Sequence, residues 1–123
     1  MRCSEAQITA AVIAHWRSLA IPGTLVAAIP NMGAMGQRGL TKGLPDIMVV
    51  GGPFLRDLTG FIELKTDSGK LRPDQITVGN ILSLNEIPYA VTYGRDQPIA
   101  VMERWGVVRP RFKSSLVQPL EAA

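Results

Sequence analysis

The chain of 123 residues is 46% apolar and 19% charged, an ordinary balance for one globular domain with a modest core. No run approaches the ~20 apolar residues of a membrane span, and the N-terminal stretch MRCSEAQ lacks the apolar core of a secretory signal, so a cytoplasmic, reducing setting is expected. Cys3 and His15 are the only cysteine and histidine and the net charge is +3, which excludes a disulfide framework, a thiolate zinc cluster and a His-rich metal site.

In chain order, Ser4 followed by Gln7 has the form of a capping box and predicts a helix starting at Ser4. Ile8, Ala11, Val12, Trp16 and Leu19 then recur at helical spacing and define its buried face, and Pro22-Gly23 stops it. Residues 24–29, TLVAAI, read as a short buried strand. Residues 30–45 hold four glycines and two prolines, too Gly-rich for a simple turn, and a loop of this length in a compact domain tends to be functional or disordered. Gly36, Gly39 and Gly43 lack the Gly-Lys-Ser/Thr of a nucleotide cradle. With Arg38 and Lys42 between them, they suit close approach to a DNA strand instead.

DIMVVGG, residues 46–52, reads as a largely apolar strand. Residues 53–59 make a turn, GFIELKT forms the next strand, and the two are close enough in sequence to pair as a hairpin. The polar turn DSGK follows. A helix then starts near Pro73, with Asp74 favourable at its positive end. PYAVTYG is a further strand and PIAVMERW a short last one. The order α-β-β-β-α-β, with that final strand appended, implies a mixed sheet flanked by helices, an α/β fold.

Side chains alternate along a strand, so Phe61, Glu63 and Lys65 share a face. Glu63 and Lys65 on one face are commonly just the wet side of an antiparallel sheet. If the hairpin forms, however, Asp46 at the start of one strand converges with Glu63 on the other. Two adjacent carboxylates each resist ionisation beside the other, and a divalent cation removes that penalty. Oxygen ligands suit Mg²⁺ or Mn²⁺, and the backbone carbonyl of Leu64 is a natural third ligand. Lys65 can then orient the attacking water or stabilise the transition-state charge. At 100° per residue Glu5 falls within the apolar arc of the first helix, which aims it inward, where it reaches the cation directly or through water. It equally serves the helix dipole there. Gln75, in the first turn of the second helix, can bond a phosphate oxygen or the water. Lys70 and Arg72 flank the preceding turn and can grip phosphate, although solvation accounts for them nearly as well. His15 reads as a packed core residue.

Residues 1–103 hold nine basic and nine acidic side chains, whereas residues 104–123 hold Arg104, Arg109, Arg111 and Lys113 against Glu121 alone. This divides the chain into a domain over 1–103 and a basic C-terminal tail over 104–123. Such a tail beside Trp105 suits nucleic-acid phosphates or simply a solvated terminus.

Pro45-Asp46 with Glu63-Leu64-Lys65 resembles the PD-(D/E)xK nuclease pattern, and NMGAMGQRGLTKG before it and GKLRPDQ after it narrow the likeness to the virus-type replication-repair nuclease family, VRR-NUC. The resemblance runs from about Ser4 to Thr92. It implies a restriction-endonuclease-like core and Mg²⁺- or Mn²⁺-dependent cleavage of DNA. It also places the family's active-site residues on Glu5, Asp46, Glu63, Lys65 and Gln75. The resemblance extends to small phage and bacterial members, some of which act as homodimers on four-way (Holliday) junctions, so it implies a two-fold dimer on branched DNA here. The alternatives are a DNA-binding module without turnover, a flap or restriction-type nuclease, and a structural protein whose Glu63/Lys65 face is merely solvated.

Overall fold

The computed structural model describes residues 3–30, 41–51 and 58–111. Its elements are α1 (Glu5–Leu19), β1 (Leu25–Ala28), β2 (Ile47–Val50), β3 (Thr59–Lys65), α2 (Pro73–Leu84), β4 (Tyr89–Tyr93) and α3 (Asp96–Arg104). The expected turn over 53–59, most of the Gly-rich segment and the end of the basic tail lie outside the described residues, except that Thr59 already belongs to β3.

The capping box forms as the sequence predicts. Ser4 Oγ accepts from Gln7 N–H at 3.1 Å and Gln7 Oε1 accepts from Ser4 N–H at 2.8 Å, satisfying two groups at the helix start. The strands pair in the order β1-β2-β3-β4, antiparallel except for the parallel β3–β4 pair. The hairpin of β2 and β3 is therefore present.

Ile47, Val49, Ile62 and Leu64 face one side of the sheet. There they pack with Ile8 and Val12 of α1 and with Ile99, Val101 and Met102 of α3 in the main core. On the other side, α2 lies so close to β4 that a Cβ on Gly79 would stand 2.8 Å from the Tyr89 ring. Helices thus cover both faces, which is why β3 reads as nearly continuous buried residues from Ile62 to Lys65.

Three expectations change. Residues 24–29 are not a buried strand: β1 is at the sheet edge, only Val26 is buried and Leu25 is 44% exposed. The run PIAVMERW is not a last strand but lies within α3 and its C-cap. Pro98 sits in the first turn of that helix, where its missing N–H costs nothing. Pro98, Ile99, Val101 and Met102 are buried at helical spacing, and Gly106 (φ 74°) ends the helix by donating to Glu103 O while Val107 N–H returns to Met102 O. The packed structure also continues beyond residue 103. Val107 and Val108 are buried, Val108 bridges Ala20, and Trp105 packs on Gly60, where a Cβ would meet its ring at 2.8 Å.

Candidate active site

The site begins where a ladder stops. β2 and β3 pair as far as Ile47 and Ile62. One residue further on, Asp46 still holds β1, its carbonyl accepting from Ile29 N–H at 2.8 Å. Its side chain replaces the missing ladder bond to β3, with Oδ2 accepting from Leu64 N–H at 2.8 Å. The sheet therefore forks between Asp46 and Glu63, on the face they share with Met48 and Phe61. The rigid Leu44-Pro45 entry leads into this fork. Gly43 just before it has φ 89°, and a Cβ there would fall 2.4 Å from the Asp74 carbonyl oxygen. Gly43 thus lets the segment carrying Asp46 lie directly on the start of α2.

Glu63 and Lys65 are not a solvated face, being only 1% and 3% exposed. Burial pushes the Glu63 carboxyl up to about 8, helped by the neighbouring Asp46, against the pull of Lys65. Glu63 Oε2 accepts from Gln75 Nε2 at 3.0 Å, while the buried Oε1 has no donor among the described residues. A proton shared between the two carboxylates, or a cation, would satisfy that oxygen. An orphaned buried oxygen within an acid pair of this kind fits a divalent ion.

Lys65 Nζ lies 3.7 Å from Glu63 Oε2 and 3.8 Å from Glu5 Oε2. Glu5 does not point into the core as the helical arc implies. Its side chain is 47% exposed at the helix start and meets Lys65. Among the described residues no three acidic, histidine or cysteine side chains come together around a common point. In this geometry Glu5 belongs to the lysine, and the acid pair is Asp46 with Glu63.

Gln75 also differs from expectation. Its Oε1 accepts from Arg72 N–H at 2.9 Å and its Nε2 donates to Glu63. The buried amide thus ties the start of α2 to Glu63 instead of presenting itself to a phosphate. Lys42, Lys70 and Arg72 are exposed around the same end of the domain, Arg72 pairing with Asp74 at 3.3 Å. Arg38 lies outside the described residues.

Two contributors escape a sequence reading. Thr92, buried in β4, donates to Glu63 O at 3.0 Å and fixes the backbone that carries the acid. The Tyr89 phenol is pushed up to about 12 by burial and by the charges of Glu63 and Asp46, which places it in the field of the same acids. The only sequence signal for Thr92 is a hydroxyl within an otherwise apolar strand, since such a group needs a partner when buried.

The comparisons follow from this geometry. A solved structure described as a VRR_NUC domain superposes with a TM-score of 0.59 at 19% identity, covering 82% of this chain and 97% of that one. No family model and no curated protein matches the sequence. The likeness shows that this chain has the fold of that domain, an α/β core with a mixed four-stranded sheet flanked by helices.

Proposed function

We propose that the protein is a VRR-NUC-type endonuclease. It hydrolyses DNA phosphodiester bonds with Mg²⁺ or Mn²⁺ and acts on structured or branched DNA such as four-way junctions. The observation that carries this reading is the Asp46–Glu63 acid pair, in which the buried Glu63 has one oxygen without a donor among the described residues and an ammonium beside it.

Asp46 and Glu63, with the Leu64 carbonyl, hold the cation. When bound, it supplies Lewis-acid stabilisation of the phosphoryl charge and makes water a better nucleophile. Lys65 orients the water and offsets the charge that develops on the phosphate oxygens. Glu5 holds Lys65 in place, Gln75 holds Glu63, and Arg38, Lys42, Lys70 and Arg72 contact the DNA backbone, which positions the strand without reading sequence. No helix among the described residues is long and apolar enough to cross a membrane. A two-fold homodimer in the cytoplasm, offering one site to each of two symmetric strands, suits a junction substrate.

The test is cleavage of labelled linear duplex, single strand, flap and four-way junction in Mg²⁺ and in Mn²⁺. The reading predicts paired symmetric nicks on the junction, lost in Asp46→Ala and Lys65→Ala. Binding without any cleavage of the panel would instead identify a DNA-binding module.

A further inference from the structure

Beside Lys65 the protein has a cleft of about 370 Å³. Tyr93, in its wall, is the register partner of Lys65 across the parallel β3–β4 pair, and the next residue, Gly94, donates its N–H to Lys65 O at 2.9 Å. The fully buried Ile8 of α1, one turn after Glu5, lies behind the cleft, and Asp67, Arg95 and Asp96 line it. The cleft therefore lies next to the end of β3 that carries Lys65.

The lining does not suit a groove for phosphates alone, because Asp67 and Asp96 would repel them. It suits a nucleobase and its sugar. The volume is at the low end of small-ligand sites, about 300–1,000 Å³. The half-buried Tyr93 ring offers a face for stacking. A carboxylate accepts from base-edge N–H groups, as acidic side chains do with the cytosine amino group. An arginine meets the adjoining phosphate. The Tyr93 backbone is held where it stands, its N–H donating to Gln97 Oε1 at 2.9 Å, and Asp67 Oδ1 lies against Gly94, 2.6 Å from where a Cβ would be.

We propose that this cleft takes an unpaired nucleobase next to the phosphate under attack. The proposal rests on the nuclease reading and deepens it. A base within a duplex is stacked and paired, and extruding it costs a few kcal/mol less when it is already unpaired. The cleft therefore gives the protein a physical reason to prefer junctions, bulges and loops over plain duplex.

The test uses the full chain in EDTA and a labelled duplex carrying one unpaired nucleotide, compared with the same DNA bearing an abasic analogue at that nucleotide. The two carry the same phosphates, so backbone contacts cancel. The base-bearing DNA is expected to bind roughly ten-fold tighter, the size of one aromatic–base stack. Tyr93→Phe keeps that difference and Tyr93→Ala abolishes it. Equal affinity of the parent protein for both DNAs overturns the proposal, whatever the variants do. Cleavage in Mn²⁺ separates this result from the nuclease reading. Cutting with no dependence on the base keeps the nuclease and removes the cleft. Base-dependent binding with no cutting supports the cleft and counts against the nuclease.

Discussion

The chain carries two acid–base clusters, and they are built in opposite ways. At the end of α3, Glu103 meets Arg111 through short bonds, Nε at 2.9 Å and the backbone N–H at 2.8 Å, with Asp96 at 3.5 Å from the same guanidinium. Burial pushes the Glu103 carboxyl up, but the Arg111 bonds and charge outweigh it, and the group ends below its ordinary value. At the fork of the sheet, Glu63 has a lysine only at 3.7 Å, a second acid against it and an oxygen with no donor among the described residues, and it ends up at about 8. The first cluster is complete as it stands. The second is complete only with something more, and strongly shifted groups of that kind mark functional sites more often than structural ones.

That contrast predicts a graded set of effects. The largest is on activity: Lys65→Ala lowers kcat by roughly 10²–10³-fold, the scale of removing one preorganised charge-stabilising group, with the melting temperature nearly unchanged. Arg111→Ala leaves cleavage intact. Loss of activity in Arg111→Ala, or full activity in Lys65→Ala, would erase the distinction between the clusters.

Next comes pH. Glu63 holds its proton more tightly in the folded metal-free protein than in the unfolded chain, whose value is near 4.5. Its contribution to stability is full below about 4.5 and is lost as pH rises towards about 8, at no more than about 1.4 kcal/mol per pH unit. Glu103 acts in the other direction, contributing above the unfolded value of 4.5 and losing that contribution as pH falls through its lowered pKa. Denaturant melts in EDTA at several pH values check both signs. Glu63→Gln should flatten the alkaline loss and leave the acid loss unchanged.

Cation binding opposes that alkaline loss. Mn²⁺ at a hundred times its Kd is expected to raise stability by about 2.7 kcal/mol, and a fixed Mn²⁺ concentration to raise it more at pH 8 than at pH 6, as measured by thermal shift. The smallest effect is on the surface pair, where Arg111→Ala costs at most about 1 kcal/mol, as part-exposed ion pairs do.

Local rules made much of this molecule legible from sequence. The Ser4–Gln7 capping box, the Pro73 helix start and the hairpin placing Asp46 beside Glu63 all depend on neighbours within a few residues or on strand periodicity. What depends on distant partners was harder to read. Residues 24–29 are apolar enough for a core strand, but their place at the edge follows from the order of the whole sheet. The β-branched run after Pro98 fits a strand until α1 and the sheet supply the surface on which its helical face packs. Glu5 lies on the apolar arc, yet at the first residue of α1 that arc has run past the core, so the side chain reaches Lys65 instead. The fork itself depends on where the β2–β3 ladder ends, and the service of Gln75 and Thr92 to Glu63 depends on contacts across elements.

The most direct measurement is a calorimetric titration of the metal-free protein with Mn²⁺ at pH 6, in buffers of different ionisation enthalpy, for the parent and for Asp46→Asn. The account predicts uptake accompanied by release of a proton from the acid pair, and its loss in the variant. No uptake by the parent, or equal uptake by both proteins, would contradict it.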